Sequence, residues 1–277
     1  MRVLKTILDF YINSSIHVAL AVYALSWLTL LQFDIAYDEH ILYFIFFSTV
    51  TGYNFIKYFG LAKFHHRSLA GWLKAIQVFS LFSFIALVYY VFKLEKQTLI
   101  YVSLFGVMTF LYAIPLVPKK IFLDKQQNLR SISGLKIYII ALVWAGVTVF
   151  LPLLNNEYPI SYDVIITTIQ RFLFVIALML PFEIRDLVYD SLKLSTIPQR
   201  IGILKTKLLG FVLLILFFIL EFFKDEMNQD RLLIHIIITI VTLVMVLFAR
   251  ENQNKYYSAF WVESLPIWWL VLLLMLR

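Results

Sequence analysis

The chain contains no cysteine among its 277 residues. Disulfides, thiol chemistry and cysteine-ligated metals are therefore excluded. The absence assigns no redox compartment, because a chain buried in lipid has no need of disulfides. Charge is also scarce: Asp, Glu, Lys and Arg make up 15% of the residues, against about 25% in a soluble domain. Glycine and proline number only 8 and 7. No Gly-, Pro- or Ser-rich linker, low-complexity run or exact repeat divides the chain, so a single domain over 1–277 is expected. No nucleic-acid motif is present, and loop cations facing anionic headgroups account for the net charge of +7 without a nucleic-acid partner.

What the chain has in abundance is apolar surface. Hydrophobic residues reach 62% and the mean hydropathy is +0.86, the composition of an integral membrane protein. Windows long enough to cross a hydrocarbon core of about 30 Å recur along the whole chain and predict an all-α bundle of about nine transmembrane helices. Their expected limits are 14–34, 41–62, 75–93, 97–118, 135–154, 160–183, 205–223, 231–250 and 256–276. The first window follows a short basic segment, lacks an A-x-A-like cleavage site and exceeds a signal-peptide core in length, which predicts a retained helix. The aromatic content of 17% fits interfacial anchoring and packing.

The loops carry a strong charge asymmetry. With a cytoplasmic N-terminus, that side collects Arg2, Lys5, Lys63, Arg67, Lys74, Lys119, Lys120, Lys125, Arg130, Lys136, Arg185, Lys193, Arg200, Lys205, Lys207, Arg250 and Lys255. These are seventeen of the 24 basic residues. The other side keeps Lys93, Lys96, Lys224, Arg231 and Arg277, so the positive-inside rule predicts a multi-pass protein of the cell membrane with its N-terminus in the cytoplasm.

Three carboxylates mark the cytoplasmic mouth of the sixth window. Glu183, Asp186 and Asp190 are three and four residues apart and so project from one helical face. Like charges so close repel unless a cation neutralises them, which suggests a hard metal such as Mg2+. Neutralisation by Arg185 and Lys193 at a solvated helix end is the plainer alternative. A second polar cluster, Asn54, Lys57 and Tyr58, ends the second window, where Lys57 either joins the site or snorkels to the surface. Lys119 and Lys120 follow a helix broken by Pro115 and Pro118. Arg171 lies within a window and should face protein, with Glu263 as a partner for an interhelical ion pair. His65 and His66 are adjacent, point in different directions on a helix and make a poor pair of metal ligands.

These segments resemble the UbiA superfamily of intramembrane prenyltransferases. The similarity is carried by Arg185 to Asp190 with the downstream Thr196 to Gly202, by Tyr112 to Lys120, and by Gly134 to Ala145. It implies nine transmembrane helices with two Asp-rich cytoplasmic motifs, and Mg2+-dependent transfer of a polyprenyl group from its diphosphate to a lipophilic acceptor, such as an aromatic quinone precursor. On that resemblance Asp186 and Asp190 would bind Mg2+ with help from Glu183. Lys119, Lys120, Arg185 and Lys193 would contact the prenyl diphosphate, and Asn54, Lys57 and Tyr58 would be the candidate catalytic residues. The first motif departs from the family pattern: Asn54 opens it, but Tyr58 and Ala62 stand at the aspartate positions. Lys57 then either replaces a metal ion at the diphosphate, or pairs with Asp186 or Glu183 and closes a degenerate site that serves as a scaffold or lipid binder. A small-molecule transporter built around Arg171 and Glu263 is a third reading.

Overall fold

The computed structural model describes residues 2–62, 71–113, 134–188, 196–225 and 229–276, and these residues are all helix and short turns. Six helical rods are long and apolar enough to cross a membrane: Gly71–Val91, Lys136–Asn155, Tyr162–Asp186, Ile197–Phe223, Gln229–Phe248 and Tyr257–Leu276. A seventh results if α1 (Arg2–Asn13) and α2 (Ile16–Gln32), bent by 56°, count as one span. Against the expected nine, the described residues hold six or seven such rods. The remaining two windows are occupied by α3 (Glu39–Ala62) and α5 (Lys96–Ala113). Their polar residues, Glu39, His40, Asn54 and Lys57 in α3 and Lys96, Gln97 and Thr98 in α5, dilute the apolar signal.

The other elements are α4 (Gly71–Val91), α6 (Lys136–Ala145), a π turn Gly146–Phe150, α7 (Leu151–Asn155), α8 (Tyr162–Asp186), α9 (Ile197–Ile219), α10 (Gln229–Phe248), a second π turn Tyr257–Val262 and α11 (Leu265–Leu276). Helices dominate because no water inside a bilayer can satisfy a free backbone group, so each span must bond internally. Local signals set the ends. Ser161 Oγ accepts the Val164 N–H at the start of α8, and Gln199 Oε1 accepts the Thr196 N–H at the start of α9, both satisfying donors that a helix start leaves free. Helix α9 is broken at Gly202, whose φ of 78° and ψ of 163° are not helical, so Ile197 to Ile201 form a separate first turn and the apolar rod starts just beyond it, close to the expected limit of 205.

Helix α8 is the central post. Some 67% of its apolar window is buried within the protein, against 17% for α4. Phe174 of α8, Phe217 of α9 and Trp269 of α11 meet around it at ring separations of 5.3 to 5.7 Å. Large apolar side chains on the outer faces, such as Phe82, Ile85, Leu204, Leu208 and Val244, stay exposed, which suits contact with lipid rather than water.

Polar contacts sort into two layers, one at each end of the bundle. The first end gathers the start of α2, the end of α3, the start of α6, the end of α8 and the turn before α11. At the second end, Arg231 at the start of α10 binds Asp34 beyond the end of α2, and Asn155 at the end of α7 binds Asp38 before α3. Successive helices therefore alternate in direction.

Candidate functional site at the first end

Helix α1 meets α2 at Asn13, Ser14 and Ser15, where Ser15 adopts a left-handed backbone with φ of 64°. A non-glycine residue in this region is strained and must be held by its surroundings. The holding is done by α3. Asn54 Nδ2 donates to the Ser14 carbonyl and to Ser80 Oγ, both at 2.9 Å, while its Oδ1 accepts from Ser15 Oγ at 2.8 Å. Lys57 Nζ donates to Ser15 Oγ at 2.9 Å, and Tyr58 OH to the Asn13 carbonyl at 2.8 Å. The three residues expected to be catalytic thus converge on one corner and tie it to α3. Next to Asn54 on α3, Tyr53 OH accepts from Trp144 Nε1 at 2.9 Å.

The carboxylates at the end of α8 are each answered by a cation of the same chain. Glu183 is buried at 2% exposure, and Lys136 Nζ lies 3.2 Å from its Oε1. Asp186 Oδ1 accepts from Arg185 Nε at 2.8 Å and Nη2 at 2.7 Å, a forked charge-assisted pair. The same guanidinium donates through Nη1 to Ser258 Oγ at 2.9 Å and lies over the Phe182 ring at 5.4 Å. The expected pairing of Lys57 with Asp186 or Glu183 is not formed. Lys57 is turned to Ser15, and the carboxylate it feels is Glu263, which also feels Arg185.

That position corrects the expected Arg171–Glu263 pair. Arg171, 1% exposed, donates to the Leu25 carbonyl at 2.8 Å and to Thr29 Oγ1 at 3.3 Å, and sits over the Trp269 ring at 5.4 Å. Trp269 is six residues beyond Glu263 on the same rod, or about 9 Å along a helix axis, so Glu263 belongs to a different layer from Arg171.

Asp190, Lys193, Lys119, Lys120, His65 and His66 lie outside the described residues. Among the described residues no group of three or more His, Asp or Glu could hold a metal ion. Glu183 Oε1 lies against Lys136 and Asp186 Oδ1 accepts from Arg185, so one oxygen of each described carboxylate already meets a cation of the chain, where a hard dication draws on several oxygens at once.

Among the described residues, Lys57, Lys136 and Arg185 share the layer with Glu183, Asp186 and Glu263. Sequence reasoning counted Lys136 only as a loop charge and did not single out Ser258 or the Ser14–Ser15 corner. A serine pair ahead of an apolar run is a helix-start signal and was the available clue to the corner. No protein-family model, curated protein or solved structure matches the chain.

Proposed function

We propose that the protein is a UbiA-like membrane scaffold that binds lipid and whose former diphosphate end is closed by its own ion pairs. The observation that carries this reading is the neutralisation of Glu183 by Lys136 and of Asp186 by Arg185. Metal-assisted departure of diphosphate requires carboxylates free to bind a dication and donors free to meet the developing phosphate charge. In this chain the same groups satisfy one another. Lys57, at the motif where the resembling family carries aspartates, and Glu263 extend the same pattern. The first end faces the cytoplasm on the charge bias of the loops, and the ligand is an isoprenoid or similar long-chain lipid held mainly by apolar contact.

The test uses the full chain in lipid nanodiscs with a long-chain prenyl diphosphate. Binding is expected to be the same with Mg2+ and with chelator, and no diphosphate should be released in the presence of aromatic acceptors. Mg2+-dependent binding that is lost in Asp186→Asn, together with diphosphate release, would overturn the scaffold reading. It would restore prenyl transfer, with Asp190, Lys119, Lys120 and Lys193 completing the site.

A further inference from the structure

Helix α1 is too short to cross a bilayer by itself. Its 12 residues reach about 18 Å, against a hydrocarbon core of about 30 Å, and it meets α2 at a bend of 56°. Contacts with α2, α4 and the turn after α10 fix both the bend and the roll of the helix. Asp9 Oδ1 accepts from Lys255 Nζ at 2.6 Å and from Tyr256 OH at 2.7 Å. His17 Nε2 donates to the Phe260 carbonyl at 2.9 Å, which leaves Nδ1 to accept from Tyr11 OH at 2.8 Å across the corner. Phe10 meets Phe79 of α4 edge-on at 6.2 Å.

Asp9 is thus held against the exposed polar turn at 250–255, and the opposite arc of α1 points away from that turn. Val3, Leu4 and Ile7 lie about 120–160° round the axis from Asp9, and they are 74%, 73% and 60% exposed. Three such side chains on one face are costly to leave in water. Helix α4, on which α1 packs, indicates what covers them. It is the least buried of the six long rods, and Leu81, Phe82 and Ile85 leave apolar surface open along its length, so α1 borders a lipid-facing wall.

A separate pair of rings marks the depth. Tyr58 OH holds the Asn13 carbonyl at the end of α1, and the Tyr58 ring meets Trp72, exposed at the start of α4, at 6.3 Å. An exposed Trp at the end of a span sits at headgroup level, which puts the corner there too. Lys74, one residue further along α4 than Leu73, and Lys5 of α1 are exposed cations at this same end.

We propose that α1 is an interfacial anchor: the face of Val3, Leu4 and Ile7 lies at the boundary of headgroups and acyl chains in the leaflet at the first end, and Lys5 and Lys74 meet the phosphates of anionic phospholipids. A short helix with one apolar arc and lysines beside it binds such a surface by burying the arc and by attraction to negative headgroups. This surface shares no residue with the ion pairs at the end of α8.

Full-length Ile7→Cys and Thr6→Cys chains carrying a bimane label, in nanodiscs of phosphatidylcholine and phosphatidylglycerol, test this. Thr6 stands about 60° from Asp9 on the polar side. The label at Ile7→Cys should be shielded from iodide and quenched more by lipid carrying a doxyl group high on its acyl chain than by lipid carrying one near the chain end. The label at Thr6→Cys should be open to iodide. Doxyl phosphatidylglycerol should quench Ile7→Cys more than doxyl phosphatidylcholine at the same fraction. That preference should fall about fivefold for Lys5→Gln and again for Lys74→Gln, survive Lys5→Arg, and decline as salt rises with both lysines in place. The salt response needs no lysine variant, so it reads the attraction even where a variant folds poorly. Equal iodide access at the two positions would overturn the interfacial placement, and strongest quenching from the chain end would make α1 the deep half of a span. Shielding from iodide without quenching by lipid would put protein on the face and overturn the proposal too. Equal quenching by the two lipids, or a preference indifferent to both lysines and salt, would remove the anionic partner.

Discussion

Arg171 shows how a charge can be placed in a bundle without a carboxylate against it. Its guanidinium is shared between the Leu25 carbonyl, Thr29 Oγ1 and the face of Trp269, and a desolvated cation over an aromatic face contributes about 2 kcal/mol. Because Glu263 lies in another layer, the destabilisations of Arg171→Met and Glu263→Gln should add within about 0.5 kcal/mol, read by denaturant unfolding in micelles. A coupling above about 1 kcal/mol would restore the ion pair. At this scale the sequence showed which residues are unusual but not whom they meet. The spacing of Glu183 and Asp186 is a local property, whereas the neutralising Lys136 arrives from α6. Hydropathy and charge counts hold no record of such a long-range neighbour.

Helices were the most legible level, since a bilayer forces every long apolar window to bond internally. Each of the nine expected windows carries a helix, and among the described residues six or seven helical stretches meet the length and polarity of a span. Helix α1 was missed as an element because Arg2 to Asn13 reads as a basic leader, although its apolar positions recur at helical spacing. Close approach between helices was equally hidden. A Cβ on Gly210 of α9 would stand 2.7 Å from Val246 Cγ1 of α10 and 2.9 Å from Leu180 Cδ1 of α8, whereas one on Gly106 of α5 meets nothing within 4 Å. Gly210→Ala should therefore cost about 1–3 kcal/mol through overpacking. Gly106→Ala should be neutral, or stabilising by up to about 1 kcal/mol through helix propensity. Unfolding midpoints of the two variants compared with the wild type check the contrast.

For the molecule as a whole, the alternation of helix direction places Lys255, exposed at a helix start, and Asp225, on an exposed bend, at opposite ends. The cysteine-free sequence is a ready background for finding the sides. A membrane-impermeant maleimide should label Asp225→Cys in intact cells, and Lys255→Cys only after permeabilisation. Labels in the reverse order would invert the orientation, and labelling of both from one side would break the alternation. The two π turns, Gly146–Phe150 and Tyr257–Val262, were illegible because an apolar run reads the same whether its bonded groups stand four or five positions apart. The second one governs the whole rod that follows it. A π turn accommodates one residue more than an α turn, so the face beyond it is offset by about 100°. Ser258, within the turn, meets Arg185, and Trp269, beyond it, meets Arg171, so the turn lies between two contacts made to the same helix, α8. Between residues 257 and 262 the length of the segment is therefore itself a structural parameter. An exchange of one apolar side chain for another leaves the downstream indole under Arg171, but losing a single residue turns it about 100° away from that guanidinium, with almost no trace in the hydropathy of the segment.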